Sequence, residues 1–394
     1  MWQNDILVLP DDLIAFAWSA PMRDLAAKLE LSDVGLKKLL TRCGVASPPQ
    51  GYWNKIRAGK RVPALPKAPP RRPGEMGRAS VDARFKKVLS IAAPLPSSGP
   101  FASALVPEDL EELHAQELQA IGKVAVSKTL DRPHKGLVQL LKQEQRRRDK
   151  NAEREWTFDE PKFDNTLSKR RLKIFNALFL ALSKRGHDGD AYERDGEIHA
   201  RAGIGDTYLG LDIGIVGSHR TVRQQGYLRP APDLPASTPL ALRIDPGFDR
   251  KNTVSWQDDG DAKLESKIAE IAAAIIVAGE KKFRLSLREA EERAERERIE
   301  KEKQRQEWLV QLNQKRLQNL RTSGELLRQA EDIRALVERV RRAIDDGSAD
   351  IDASALDAWQ RWALAEADRI DPVRSGQILT HLNEPSLISR PTPF

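Results

Sequence analysis

Between Arg288 and Glu307 the chain offers a hydrophobic core almost nothing. The run REAEERAERERIEKEKQRQE has only Ala290, Ala294 and Ile299 as apolar residues. Such a stretch cannot be buried in a sheet or bundle, and it lacks the apolar a and d positions of a coiled coil. It has oppositely charged residues four apart, Glu292–Arg296, Glu297–Lys301 and Arg298–Glu302, which pair along a helix. The expectation is a solvated helix from Glu280 to Thr322, ~65 Å long at 1.5 Å per residue. The folded parts of the chain must therefore lie before and after it.

After it, Trp308, Leu309, Leu312, Leu317 and Leu320 restore a contact face, and Ser323-Gly324 reads as a break. Leu326, Ala330, Ile333, Val337, Val340 and Ile344 recur at helical spacing. The DDGSAD turn reverses the chain into a second helix with Leu356, Trp359, Ala363, Ala367 and Ile370. The expected product is a helical hairpin with Trp359 and Trp362 at its contact, and a loosely attached tail beyond Glu384.

Before the charged run, helical spacing covers Glu108–Ala120, Arg132–Lys150 and Leu167–Gly186, where Leu172, Phe175, Leu178, Phe179 and Leu182 make the strongest stripe. Lys123–Leu130 alternates like a short strand. Ala191–Arg194, Glu197–Ala202, Tyr208–Ile215, Leu240–Ile244 and Thr253–Trp256 read as extended segments, with Leu209, Leu211, Ile213 and Ile215 on one face. Lys263–Gly279 carries an apolar stripe that returns to this sheet. The fold class expected is mainly α with a central α+β domain, an N-terminal helix-turn-helix, a long charged helix and a C-terminal helical hairpin. The corresponding segments are residues 1–62, a proline-rich linker 63–105, the α+β domain 106–260, the charged helix 261–322 and the hairpin with its tail 323–394.

Charge distinguishes the N-terminal part. Over Pro21–Val88, sixteen Lys and Arg oppose five Asp and Glu, a balance of +11 in a chain of +7, so the remainder totals −4. A basic module on a mildly acidic body calls for a polyanionic partner. Within it, PMRDLAAKLELSDVGLKKLLTRCG (Pro21–Gly44) divides into two short helices. Leu25, Ala26 and Leu29 face inward in the first, and Leu36, Leu39 and Leu40 in the second. Ser32 is the N-cap and Gly44 the stop. Directly after come Pro48-Pro49 and a third short helix, Tyr52–Ala58, with Tyr52 and Trp53 packing beneath the module. Eight prolines between Val62 and Pro100 then describe a semi-stiff tether, interrupted by a short helix at Val81–Ile91.

The Pro21–Gly44 spacing resembles the helix-turn-helix of many bacterial DNA-binding proteins, with Ala26 and Leu31 where that motif takes small and apolar residues. It departs at Glu30, where the motif carries glycine for a positive φ, and Gly35 weakens the second helix. The resemblance implies that Ser32, Asp33, Lys37, Lys38 and Arg42 meet duplex DNA. Lys55, Arg57, Lys60 and Arg61 are placed to hold phosphates beside the groove. ASPPQGYWNKIRAGK, TLDRPHKGLV and the Trp256-Gln-Asp-Asp-Gly turn are similar to a family of large bacterial hypothetical proteins with a PPxGYWxKxxAGK signature after a helix-turn-helix. That likeness implies a domain order and a bacterial intracellular setting, and no chemistry.

Other classes find less support. The single cysteine, Cys43, excludes an internal disulfide and multi-cysteine zinc sites. MWQNDILVLPDD lacks the basic start and apolar run of a secretory leader. The longest mostly apolar stretch, Ile268–Gly279, is too short to span a bilayer, so no membrane partner is expected. No Walker-type loop is present, AGIGDTYLG lacking the lysine, and no cofactor is expected. An alternative places metal-dependent strand cleavage at HDGDAYERDGEIHA, with Asp190, Asp195, Glu197, His199 and Arg201 around a sheet. A further alternative is a helical scaffold without DNA affinity. In the favoured reading the chain is a cytoplasmic DNA-binding adaptor or regulator. It pairs with a second copy, or recruits a protein, through the helices around Trp308–Leu320.

Overall fold

The computed structural model describes residues 5–96, 106–153, 160–194, 196–224, 227–231, 233–245, 254–260, 262–348 and 352–382. The chain divides into two units, Met1–Glu291 and Glu292–Phe394. The boundary falls inside one continuous helix.

The first unit begins with a small strand, β1 (Asp5–Val8), and three helices, α1 (Pro10–Ala17), α2 (Met22–Lys28) and α3 (Asp33–Arg42). A short α4 (Tyr52–Arg57) follows, then β2 (Ala79–Asp82), which pairs antiparallel with β1 so that Ile6 faces Val81. Leu13, Leu25, Leu29, Leu36 and Leu40 are fully buried, as is Phe85 from the 3-10 turn Ala83–Lys87 after β2. The segment expected to be a free tether therefore supplies a strand and the most deeply buried aromatic of this core. The helix expected at Val81–Ile91 is instead the end of β2, the 3-10 turn Ala83–Lys87 and an irregular stretch after it. Proline density marks a chain that avoids helix, and says nothing of whether that chain is docked.

Helices α5 (Leu110–Ile121), α6 (Lys135–Glu153) and α7 (Thr166–Lys184) precede a sheet of five strands in the order β3 (Asp188–Arg194), β4 (Glu197–Ile204), β5 (Thr207–Ile215), β8 (Leu240–Asp245), β9 (Ser255–Gln257). All neighbours are antiparallel. The hairpin β6 (Thr221–Gln224) and β7 (Tyr227–Pro230) is inserted between β5 and β8. One face of the sheet buries Ala200, Ala202, Leu209, Leu211, Leu242 and Ile244 against α7 and the start of α8 (Ile268–Asp345). The other face presents Asp190, Tyr192, His199, Arg201, Tyr208 and Asp212.

Several expectations are corrected here. The chain is not mainly α: a mixed α+β architecture on a five-stranded antiparallel sheet, with one helix of 78 residues, replaces it. Ser323-Gly324 does not break that helix. Ser323 is buried with its Oγ 2.8 Å from His381 Nε2, and Gly324 keeps a helical backbone. An interior glycine costs only ~1 kcal/mol, which the flanking helix formers absorb. A charged rod and a separate hairpin thus become one helix with α9 (Ala353–Ile370) laid on its C-terminal end. There Ala330, Val337, Ala363 and Ala367 are buried, and Arg334 bonds Asp368 and Asp371 at 2.8 Å each. Trp362, expected at that contact, is 66% exposed. Lys123–Leu130 has no ladder partner; Val124, Val126 and Leu130 alternate because an extended segment lies across the core. The expectations for Asp195, Thr253 and the residues beyond Glu384 concern positions outside those described.

Buried ion pairs hold these parts together. Glu280 of α8 is wholly inaccessible and takes Arg71 at 2.8 and 2.9 Å, the Gly74 N–H at 2.7 Å and Arg284 at 2.7 Å. Arg71 also donates to the Glu75 carbonyl and lies over the Phe283 ring. Gly74 meets the β4–β5 turn backbone to backbone: Asp206 N–H donates to the Gly74 carbonyl at 2.9 Å. A Cβ on Gly74 would stand 2.1 Å from the Ile204 carbonyl oxygen. Glu280→Ala is expected to lower the unfolding free energy by roughly 3–5 kcal/mol, because Arg71 is left buried without its partner. In urea titrations the double variant Arg71→Met/Glu280→Leu should recover at least half of that loss.

Acid sensitivity follows from two other groups. Burial keeps His187 neutral and moves its pKa from 6.5 down to about 4. Lys162, followed by the Gly196 N–H and Arg147, holds Glu193 down from 4.5 to about 2 against the opposing effect of burial. Both folded-state values are depressed, so the unfolded chain takes up protons first and stability falls as pH falls. Stability should be full above pH 6.5, decline through about 4 on account of His187, and decline further from 4.5 to about 2 on account of Glu193. Urea midpoints measured against pH should follow this course, and His187→Leu should flatten the upper part.

Candidate nucleic-acid interface

The turn between α2 and α3 is built by backbone hydrogen bonds. Glu30 N–H donates to the Ala27 carbonyl at 3.2 Å and Leu31 N–H to the Ala26 carbonyl at 2.9 Å. This is a Schellman ending, which requires a left-handed residue at its centre. Glu30 has φ +56°, the one positive value at a non-glycine residue among those described. The same ending recurs at α3, α4 and α7, centred there on Gly44, Gly59 and Gly186. The departure from the motif is thus one of residue type only; the backbone adopts the left-handed turn. Lys87, 2.7 Å from the Glu30 carboxylate, lowers its pKa and holds the side chain against the 3-10 turn.

Ser32 caps α3, accepting from the Gly35 N–H at 3.0 Å. A Cβ on Gly35 would come within 2.9 Å of the Ser32 Oγ, so the weak helix former leaves room for the cap. Asp33 is exposed in the first turn, its carboxylate accepting the Val34 N–H at 2.8 Å. An acid there suits the helix dipole. Leu36 and Leu40 are buried and Leu39 half-buried, which turns Lys37, Lys38 and Arg42 outward, where all three are exposed.

The flank is fixed beside this helix. Trp18 donates its indole N–H to the Ala46 carbonyl at 2.8 Å, and Tyr52 packs edge-on against Trp18 with centroids 5.1 Å apart. Trp53 follows in the same manner on Tyr52, at 5.2 Å. An open groove of about 300 Å³ runs between α3 and α4, with Lys37 and Met22 on one side and Ser47–Asn54 on the other. Lys55, Arg57, Lys60 and Arg61 are all exposed. Among the described residues, no carboxylate pairs with Lys37, Lys38, Arg42, Lys55, Arg57, Lys60 or Arg61, whereas Lys87 and Arg84 nearby are paired. The cations named from the sequence are therefore unneutralised, and the structure sets Lys37 across a groove from the helix bearing Lys55 and Arg57.

The residues of the alternative cleavage site are placed differently. Glu197, His199 and Arg201 do share the open face of β4. Asp190 is taken by Arg201 at 2.7 Å, and His199 stacks on Tyr192. Among the described residues, no three His, Cys, Asp or Glu side chains are grouped to hold a metal ion. His134 is a structural histidine: its Nδ1 accepts the Gly136 N–H at 3.1 Å, so Nε2 donates to the Ser183 hydroxyl at 2.8 Å. The Arg146–Arg148 run is turned inward in part, with Arg147 bonded to Glu193 at 3.0 Å.

No helix among the described residues is long and apolar enough to cross a membrane. Compared with protein-family models, curated proteins and solved structures, the chain matches none of them.

Glycine removes the cost of a left-handed backbone. Glu30→Gly should raise the thermal midpoint by about 2 °C, even though the ion pair with Lys87 is then absent. Differential scanning calorimetry of the full chain measures this directly.

Proposed function

We propose that the N-terminal core binds double-stranded DNA, with α3 in the major groove and the α4 flank on the adjacent phosphates. The observation that carries this reading is the set of exposed cations on α3 and its flank, which meet no carboxylate of their own among the described residues. In a protein where most buried and many exposed Arg and Lys are paired, a face left uncompensated is suited to a polyanion. The left-handed turn at Glu30 and the cap at Ser32 support the same reading, since they set α3 out from α2 as a helix-turn-helix does. Asp33 would accept from a cytosine amino group in the groove and repel a phosphate, so it acts in selection and adds no general affinity.

A single helix-turn-helix seldom binds tightly, and symmetric sites call for dimers. Trp308, Val310, Leu317 and Leu320 of the second unit are 43–59% exposed on one stretch of α8, and we assign self-association to that stretch. The setting is the cytoplasm of a bacterial cell, and the role that of a regulator or adaptor without chemistry of its own.

Lys37→Ala/Lys38→Ala/Arg42→Ala should weaken duplex binding by about thirtyfold or more in a mobility-shift titration. The slope of log K against log salt should become shallower by about 2–3, at ~0.9 for each phosphate that the variant leaves unneutralised. Binding equal to that of the parent chain would remove α3 from the interface. Light scattering on the shifted complex gives the number of chains bound.

A further inference from the structure

The five-stranded sheet is divided at one end. Strand β4 pairs with β5 only from Ala200–Leu211 to Ile204–Thr207. Beyond that point, Glu197, Ile198 and His199 pair with β3 alone, and Asp212 to Ile215 pair with β8 alone. Two central strands of one sheet thus part and leave their facing edges without each other. The gap is a cavity of about 300 Å³, at the lower end of the size of small-ligand sites.

Its lining has an unusual balance. Arg171 rises into it from α7, with only 15% of its side chain exposed. The nearest carboxylate oxygen, from Glu197, is 4.0 Å from its Nη1, and its buried Nε–H has no hydrogen-bond partner. A guanidinium carries five donors, and a buried one left this open is rare. Glu197 and Asp212 stand on opposite walls. Phe175, Ile198, Ile213, Ile215 and Pro230 add apolar surface, and the imidazoles of His199 and His219 also line the cavity. A simple anion would meet two carboxylates beside its one cation. A divalent metal is disfavoured because the His and acidic side chains described are not grouped to hold one.

We infer that this divided-sheet cleft binds a free α-amino acid with an apolar side chain. The carboxylate would accept from Arg171, the ammonium would meet Asp212 and Glu197, and the side chain would lie on the isoleucines and Phe175. Each charged group of the ligand finds its opposite, and the orphaned Nε–H gains an acceptor. Gly214 keeps the wall open: a Cβ there would meet only the Asp212 Oδ2, at 3.7 Å, and its φ is ordinary for a strand. The inference is independent of the DNA reading, since it uses none of the same residues.

The test is a thermal-shift and calorimetric titration of the full chain with the free apolar amino acids. Their N-acetyl and C-amide forms, inorganic phosphate and Mg²⁺ or Zn²⁺ serve as further probes. At least one free amino acid should bind with 1:1 stoichiometry and raise the melting temperature by about 4 °C or more at a hundredfold excess over its Kd. Blocking either end should weaken it at least tenfold. Arg171→Met should abolish the response. Gly214→Val, which fills the cleft with a residue suited to a strand, should do the same while the chain remains folded by circular dichroism. The inference is overturned if no free amino acid binds at millimolar concentration, or if blocked forms bind equally well. It is equally overturned if phosphate or a metal ion alone accounts for the binding, or if Gly214→Val leaves it intact.

Discussion

The arrangement of the first unit depends on one buried carboxylate. Glu280 sits on the inner side of α8 with no access to water, and a charge in that position must be compensated in full. Arg71, Arg284 and the Gly74 N–H supply the compensation, and two of those three belong to the proline-rich segment. That segment cannot leave without stranding charges on both sides. It is thereby held as a strap, running from the N-terminal helices to the β4–β5 turn and back to pair β2 with β1. The position of the N-terminal helices on the body follows from a side chain some two hundred residues further along the chain.

The same logic explains why α3 and the turn before it tolerate poor local residues. Glutamate at a left-handed turn and glycine in the first turn of a helix each oppose the local structure. Both are overruled by what surrounds them. The Schellman hydrogen bonds and the buried Leu29 fix the turn, Lys87 from the strap secures the Glu30 side chain, and the Ser32 cap needs the space that Gly35 leaves. The Lys87 ion pair exists only because the strap is docked, so the buried pair at Glu280 and the turn at Glu30 belong to one continuous construction. Within the sheet, the corresponding local exception is the parting of β4 and β5, where ladder bonds give way to a cleft around Arg171.

Much of the secondary structure is legible in periodicity. The stripe on α7, the alternation in β5 and the paired helices around Ser32 all have a dry side and a wet side, and that contrast is written in residue order. The exposed cations of α3 are legible for the same reason: once Leu36 and Leu40 face inward, Lys37, Lys38 and Arg42 have nowhere else to point. The docked linker is not legible, because proline excludes helix equally well in a free chain and in a bound one. Nor is the unbroken helix at Ser323-Gly324, because a glycine ends a helix only when its φ turns positive, and that depends on neighbours. The cleft around Arg171 leaves no trace in spacing, since an arginine on a mostly apolar helix reads as its solvated edge.

What the sequence by itself determined was local: which segments are helical or extended, which face of each is apolar, and where positive charge concentrates. These follow from side-chain periodicity and from the charge of each residue, which need no partner to be defined. Tertiary structure decided how far the sheet extends, that the proline-rich segment is a strap, that Glu280 and Arg71 are buried, and that Arg171 is largely shielded from water. Burial is a property of what lies opposite, and an ionised side chain looks the same in the sequence whether water or another chain segment surrounds it.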